Sequence, residues 1–105
     1  PKLSEISKAK KLNVDCSELH TGKNCKLINK KKKDKKEYNK IKKSAMFAKN
    51  LGLEVHAGHG LTYKSAKIIS RISNIAEFNI GHFLIGESIF SGLSSSIKKF
   101  KKILK

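Results

Sequence analysis

Short apolar runs alternate along this chain with stretches whose apolar residues recur every three or four positions, the pattern of repeated β-α units around a parallel sheet. The runs predict strands at about Val14 to His20, Leu53 to Ala57 and Ala76 to Ile80. Between the first two, Tyr38, Ile41, Ala45, Ala48 and Leu51 mark the buried face of a lysine-rich helix, and Asn50-Leu51-Gly52 supplies its stop. Thr62 stands where it can cap a helix whose apolar face is Ala66, Ile69 and Ile72. An incomplete helix ending near Lys11 precedes the first strand. After the third come a short segment from Phe83 to Ser91 and an amphipathic helix with Leu93, Ile97, Phe100 and Leu104 on one side. The fold class expected is α/β.

Side chains alternate between the two faces of a strand, so the strands also sort their polar residues. Cys16, Glu18 and His20 share one face of the first strand, Glu54 and His56 of the second, and Glu77 and Asn79 of the third. Val55, Phe78 and Ile80 fall on the opposite faces, where helices would pack. The polar set then lines the interior of a closed sheet, or, in an open half-covered sheet, points into solvent. Glycines cluster where the second and third strands end, at Ala57-Gly58-His59-Gly60 and at Gly81-His82 with Gly86 close behind. Glycine lets backbone N–H groups approach an anion, and such strand ends are where α/β barrels bind phosphate.

Length constrains this reading. The chain has 105 residues, against roughly 250 in a closed (β/α)8 barrel, so a barrel reading is the reading of a fragment. There is no signal-peptide pattern and no run of about 18 uninterrupted apolar residues, which makes a soluble, cytoplasmic protein the expectation. Cys16 and Cys25 do not form a disulfide framework. With His20, His56 and His59 they could supply zinc ligands, but no CxxC or HxxxH pair is present, and neither a metal nor another cofactor is expected.

A formal net charge of +16 raises nucleic acid, anionic membranes and anionic small molecules as partners. Of the 24 basic residues only Arg71 is an arginine, whereas readers of bases and phosphates favour the guanidinium fork. The run from Lys30 to Lys36, broken only by Asp34, reads as the exposed approach to the lysine-rich helix. A small nucleic-acid-binding module is thus the competing function. The last helix is basic on its polar side, but its apolar stripe is narrow and lacks Trp, which favours packing on the sheet over a membrane surface.

Three segments go beyond pattern. Glu18-Leu19-His20-Thr21-Gly22, then Leu51-Gly52-Leu53 leading to Ala57-Gly58-His59-Gly60-Leu61-Thr62-Tyr63, and Asn79-Ile80-Gly81-His82 followed by Ile85-Gly86 resemble, in order and spacing, the C-terminal motifs of the pyridoxine 5'-phosphate synthase family. The resemblance implies that residues 1–105 are the C-terminal three β-α units of a single (β/α)8-barrel domain. It further implies an enzyme that joins 3-amino-2-oxopropyl phosphate to 1-deoxy-D-xylulose 5-phosphate, giving pyridoxine 5'-phosphate, inorganic phosphate and water. Carried over residue by residue, His59 matches the family's proton donor and Gly60 its neighbouring substrate-binding residue. Gly81 and His82 match the pair that binds substrate phosphate, and Glu18 matches a carboxylate that stabilises the transition state. His20 is read as structural or supporting.

Ser17 departs from the aliphatic residue usual before the Glu-Leu-His-Thr-Gly motif, and Lys23 to Lys36 is more basic than the family pattern. The family's other histidine and glutamate bases and its phosphate-binding arginine belong to the N-terminal half, so this chain alone is expected to be inactive. Small phosphorylated substrates, rather than nucleic acid or membrane, are the expected partners, within a homo-oligomer.

Overall fold

A computed structural model describes residues 1–32 and 35–105. Three short strands, β1 (Cys16–His20), β2 (Glu54–Gly58) and β3 (Glu77–Asn79), form a parallel sheet in the order β1-β2-β3. Parallel neighbours need a crossover, and helices supply it. The helices are α1 (Leu3–Lys11), α2 (Gly22–Asn29), α3 (Lys35–Asn50), α4 (Tyr63–Ile69), α5 (His82–Ser91) and α6 (Leu93–Leu104).

The core lies where one face of the sheet meets α3 and α4. Leu19, Val55 and Ala57 from the strands are buried against Ile41, Ala45 and Ala48 of α3 and Ala66 and Ile69 of α4, and Leu53, Leu61 and Ile72 close the ends. Burying each large aliphatic side chain contributes about 1.5–3 kcal/mol. The three-to-four-residue period seen in the sequence is therefore the buried stripe of these helices. Cys25 is buried and Cys16 exposed, both as free thiols.

Two helix ends are specified locally. At α3, Gly52 has φ +82°, its N–H donates to Lys49 O at 2.9 Å, and the Leu53 N–H donates to Ala48 O at 3.1 Å. This paired arrangement satisfies carbonyls the helix end would otherwise leave open, and glycine adopts the left-handed backbone without a Cβ penalty. At α4, the Ser65 N–H donates to Thr62 Oγ1 and the Thr62 N–H donates to Ser65 Oγ, a reciprocal capping box.

Several expectations shift. The first strand starts at Cys16 rather than Val14, because Asn13 takes a positive φ of 57° and turns the chain just before it. Helix α2 was not expected: its buried residues are Asn24 and Cys25, small or polar side chains that give no apolar period. Phe83 to Ser91 is a full helix beginning one residue earlier. On α6, Phe100 is buried against Tyr63 and Phe83, with ring centroids 4.5 Å and 6.0 Å away, but Leu93 and Ile97 are exposed. Lys30, Lys31 and Lys32 are exposed ahead of α3, as expected of the charged approach, while Lys33 and Asp34 lie outside the described residues. No helix among the described residues is long and apolar enough to cross a membrane.

Candidate active site

The register brings the three strand ends level: His20 pairs with Gly58, and Gly58 with Asn79. One step earlier, Glu18, His56 and Glu77 form a second polar row. Both rows lie on the face away from the apolar core, as the alternation predicts, and Glu18, His20 and Asn79 are exposed there. Gly58 leaves a gap in the first row. A Cβ on it would lie 2.6 Å from Glu18 Oε1, so the Glu18 carboxylate occupies the space a side chain would take. From there it accepts a hydrogen bond from Asn79 Nδ2 across the middle strand.

Beyond β2 the chain turns sharply. His59 has φ +83° and Gly60 φ +76°, and a non-glycine residue held at positive φ costs about 1–3 kcal/mol. Thr21, fully buried, holds the turn. Its N–H donates to Gly58 O at 2.8 Å, and its hydroxyl lies 2.9 Å from both Gly58 O and His59 O. That hydroxyl has one proton to share between the two carbonyls.

This turn aims the His59 ring at His20. The two imidazoles stack with centroids 4.3 Å apart and planes 26° apart. The contact depends on Gly22, since a Cβ there would come within 2.6 Å of His20 Cε1 and 2.7 Å of His59 Cδ2. Gly22 also donates its N–H to His20 Nδ1 at 3.3 Å, which orients that ring. Gly60 is just as confined, with Cys25 Cβ 3.2 Å from where its own Cβ would be. Read from sequence as a supporting residue, His20 is in direct contact with the candidate proton donor, and Gly22 is the residue that sequence reasoning left without a role.

His20, Gly22, His59 and Gly60 open into a depression of about 620 Å³ whose remaining wall is Asn29, Lys23, Lys26 and Lys30. The lysines recur at three and four residues along and just past α2, so one helical face is turned to the histidines. Lys23 also pairs with Glu37 of α3 at 3.0 Å. The depression is therefore positively charged beside a pair of imidazoles, a setting that favours anionic ligands.

Gly81 and His82 lie at the third strand end, where Gly81 is the N-cap of α5 and His82 its first residue. Among the described residues, and apart from its chain neighbours, no atom lies within 4 Å of where a Gly81 Cβ would be, so their packing does not require glycine there. The first amides of α5 have no partner within the helix, and the helix dipole favours an anion at that end. Glu18, Gly60 and His59 thus gather around the ends of β1 and β2, and Gly81 with His82 forms a separate wall at the end of β3.

Below the site, His56 donates to Glu54 Oε1 at 2.7 Å and has Glu77 Oε1 at 3.9 Å. Ligand atoms of these three residues lie within 4.8 Å of one another, so among the described residues they, and not the cysteines with His20 and His59, are the set close enough to share a cation. The hydrogen bond to Glu54 raises the His56 pKa above the usual 6.5, partial burial opposes this, and the Glu77 and Glu18 carboxylates add to the rise. A raised folded-state pKa contributes stability that is complete below about 6.5 and fades as pH climbs through the raised value. His56→Gln in the full-length protein is therefore expected to lower the melting temperature more at pH 5.5 than at pH 8.5. Equal losses at the two values, measured by circular dichroism, would show that the imidazolium contributes nothing.

Histidines, a carboxylate and bare glycines thus gather at the C-terminal ends of the strands of a parallel α/β sheet. Residues 1–105 match the family profile described as "Pyridoxal phosphate biosynthesis protein PdxJ", and the chain belongs to this family. Curated relatives named pyridoxine 5'-phosphate synthase agree. The protein of Pelagibacter ubique is 55% identical over 103 residues, covering 98% of this chain and 43% of the relative. That of Zymomonas mobilis is 46% identical over 104 residues, 99% of this chain and 40% of the relative, and that of Blochmanniella floridana 42% identical over 105 residues, 100% and 42%. The chain spans about two fifths of the length of these relatives.

Proposed function

We propose that this chain is the C-terminal three β-α units of a (β/α)8 barrel that acts as a pyridoxine 5'-phosphate synthase, a transferase of the cytoplasm working as a homo-oligomer. The carrying observation is the family match over the whole chain. The parallel order of β1, β2 and β3 is compatible with an arc of such a barrel, in which the exposed polar rows would face the interior.

In this reading, 3-amino-2-oxopropyl phosphate and 1-deoxy-D-xylulose 5-phosphate enter above the strand ends. Condensing an amine with a ketone and closing a ring both expel hydroxyl groups, which leave as water only when protonated. His59 supplies those protons, because an imidazole can give up a proton in one step and take one back in the next. His20 packs against its ring and fixes its direction. Glu18 presents its negative charge to cationic centres that develop on the amine-bearing carbon skeleton. Gly60 lets a substrate approach the backbone beside His59, and the α5 amides behind Gly81, together with His82, hold a substrate phosphate. Lys23, Lys26 and Lys30 attract the phosphorylated substrates without touching the chemistry. The remaining bases come from the rest of the barrel. No metal, membrane or nucleic acid has a part in this scheme.

The test is direct. The full-length polypeptide, incubated with both substrates, is expected to form pyridoxine 5'-phosphate with stoichiometric release of inorganic phosphate. A folded full-length protein that forms none of this product under any substrate ratio would remove the assignment.

A further inference from the structure

Building on the reading of Glu18 as a carboxylate that faces the reacting atoms, we infer that Asn79 is a positioning residue for Glu18, and that Gly58 is glycine to leave the path between them open. Glu18 sits on β1 and Asn79 on β3, with β2 between. Adjacent strands lie about 4.8 Å apart, so the two backbones are separated by about twice that distance and only a long side chain can bridge them. Asn79 is level with Gly58, one pair nearer the strand ends than Glu18. The Glu18 side chain therefore leans diagonally over β2 toward the mouth of the site, through the place where a Cβ on Gly58 would lie 2.6 Å from its Oε1. There Asn79 Nδ2 donates to its carboxylate.

A nearer partner exists and is otherwise engaged. His56 stands directly opposite Glu18 in the register, yet its ring nitrogens face Glu54 at 2.7 Å and Glu77 at 3.9 Å. Those two carboxylates face the ring nitrogens, so Glu18 acts on His56 through its charge at a distance while its hydrogen-bond donor is the Asn79 amide. The distinction matters chemically. An amide donor fixes one carboxylate oxygen without cancelling its charge, whereas a cationic partner would orient the group and neutralise it at once. The second oxygen keeps its acceptor capacity for a ligand. Asn79 is exposed on the polar face and contributes nothing to the apolar core, so packing does not account for an asparagine at this position.

The experiment is a double-mutant cycle on the full-length enzyme, with kcat and KM measured separately and folding followed by circular dichroism. Asn79→Ala is expected to lower kcat about 10-fold with KM within about two-fold, because a misaimed carboxylate stabilises the transition state less while binding persists. In a Glu18→Gln background, Asn79→Ala is expected to change kcat by less than about two-fold, since it has nothing left to position. Gly58→Ala is expected to match Asn79→Ala, the new methyl displacing a flexible side-chain tip rather than backbone. Asn79→Asp, of the same size, gives the same answer should the alanine variant prove unstable. If Glu18→Gln lowers kcat but Asn79→Ala and Asn79→Asp do not, or if the two losses multiply, Asn79 does not act through Glu18. If Glu18→Gln itself leaves kcat unchanged, the role given to Glu18 fails, and the inference goes with it.

Discussion

In the full-length protein, His59→Asn is expected to lower turnover by about 10²- to 10⁴-fold and to leave KM for either substrate within a few-fold, the signature that loss of a proton donor would give. Asparagine is the informative replacement on two grounds. It removes the titratable ring but keeps a short polar side chain, and it tolerates the positive φ of 83° better than most residues, so the turn held by Thr21 persists. Steady-state kinetics on protein with an unchanged melting curve make the measurement. Near-normal turnover in that protein would show that another group supplies the proton. His20, in contact with the His59 ring, would then be the first candidate, and His56 the second.

The second large effect is expected from the smallest change. Gly22→Ala places a methyl within 2.7 Å of both imidazoles, and the rings must part. Gly22 is also the first residue of α2, and alanine favours helix over glycine by up to about 1 kcal/mol, so the substitution has no reason to weaken the fold. Turnover is expected to fall about 10- to 100-fold while thermal stability is held or rises. Imidazole resonances of His20 and His59 read the separation directly, because stacked rings shift one another. Wild-type turnover combined with shifted resonances would mean that the stack is not needed for catalysis.

How far the sequence foretold this arrangement depends on what each residue does. Strands and helices that bury an apolar face were readable, since Ile41, Ala45 and Ala48, or Ala66 and Ile69, announce themselves by spacing. The polar row of Glu18, His56 and Glu77 followed from alternation, and the helix stop at Gly52 and the cap at Thr62 from the residue types at those positions. Helix α2 escaped because it buries Asn24 and Cys25, which carry no apolar rhythm. The parts of the site that depend on contact across strands escaped as well. Nothing local to Gly22 says that two rings will meet above it, and nothing local to Asn79 says that a carboxylate will arrive from two strands away. The motif resemblance supplied His59, Gly60, Gly81, His82 and Glu18 as positions. It did not supply the neighbours that orient them.

Helix α5 has a consequence for handling the protein. Ile89 and Phe90 are 80% and 89% exposed, with Ile85 on the same helix and Leu93 just beyond also in water. Contact between two copies through these side chains is second order in concentration. The net charge of +16 opposes the encounter by like-charge repulsion, which acts through water over a Debye length of about 30 Å at 0.01 M salt but only about 8 Å at 0.15 M. Salt therefore works against this chain's solubility: dilute buffer keeps the copies apart, while physiological ionic strength lets the apolar helix faces find one another.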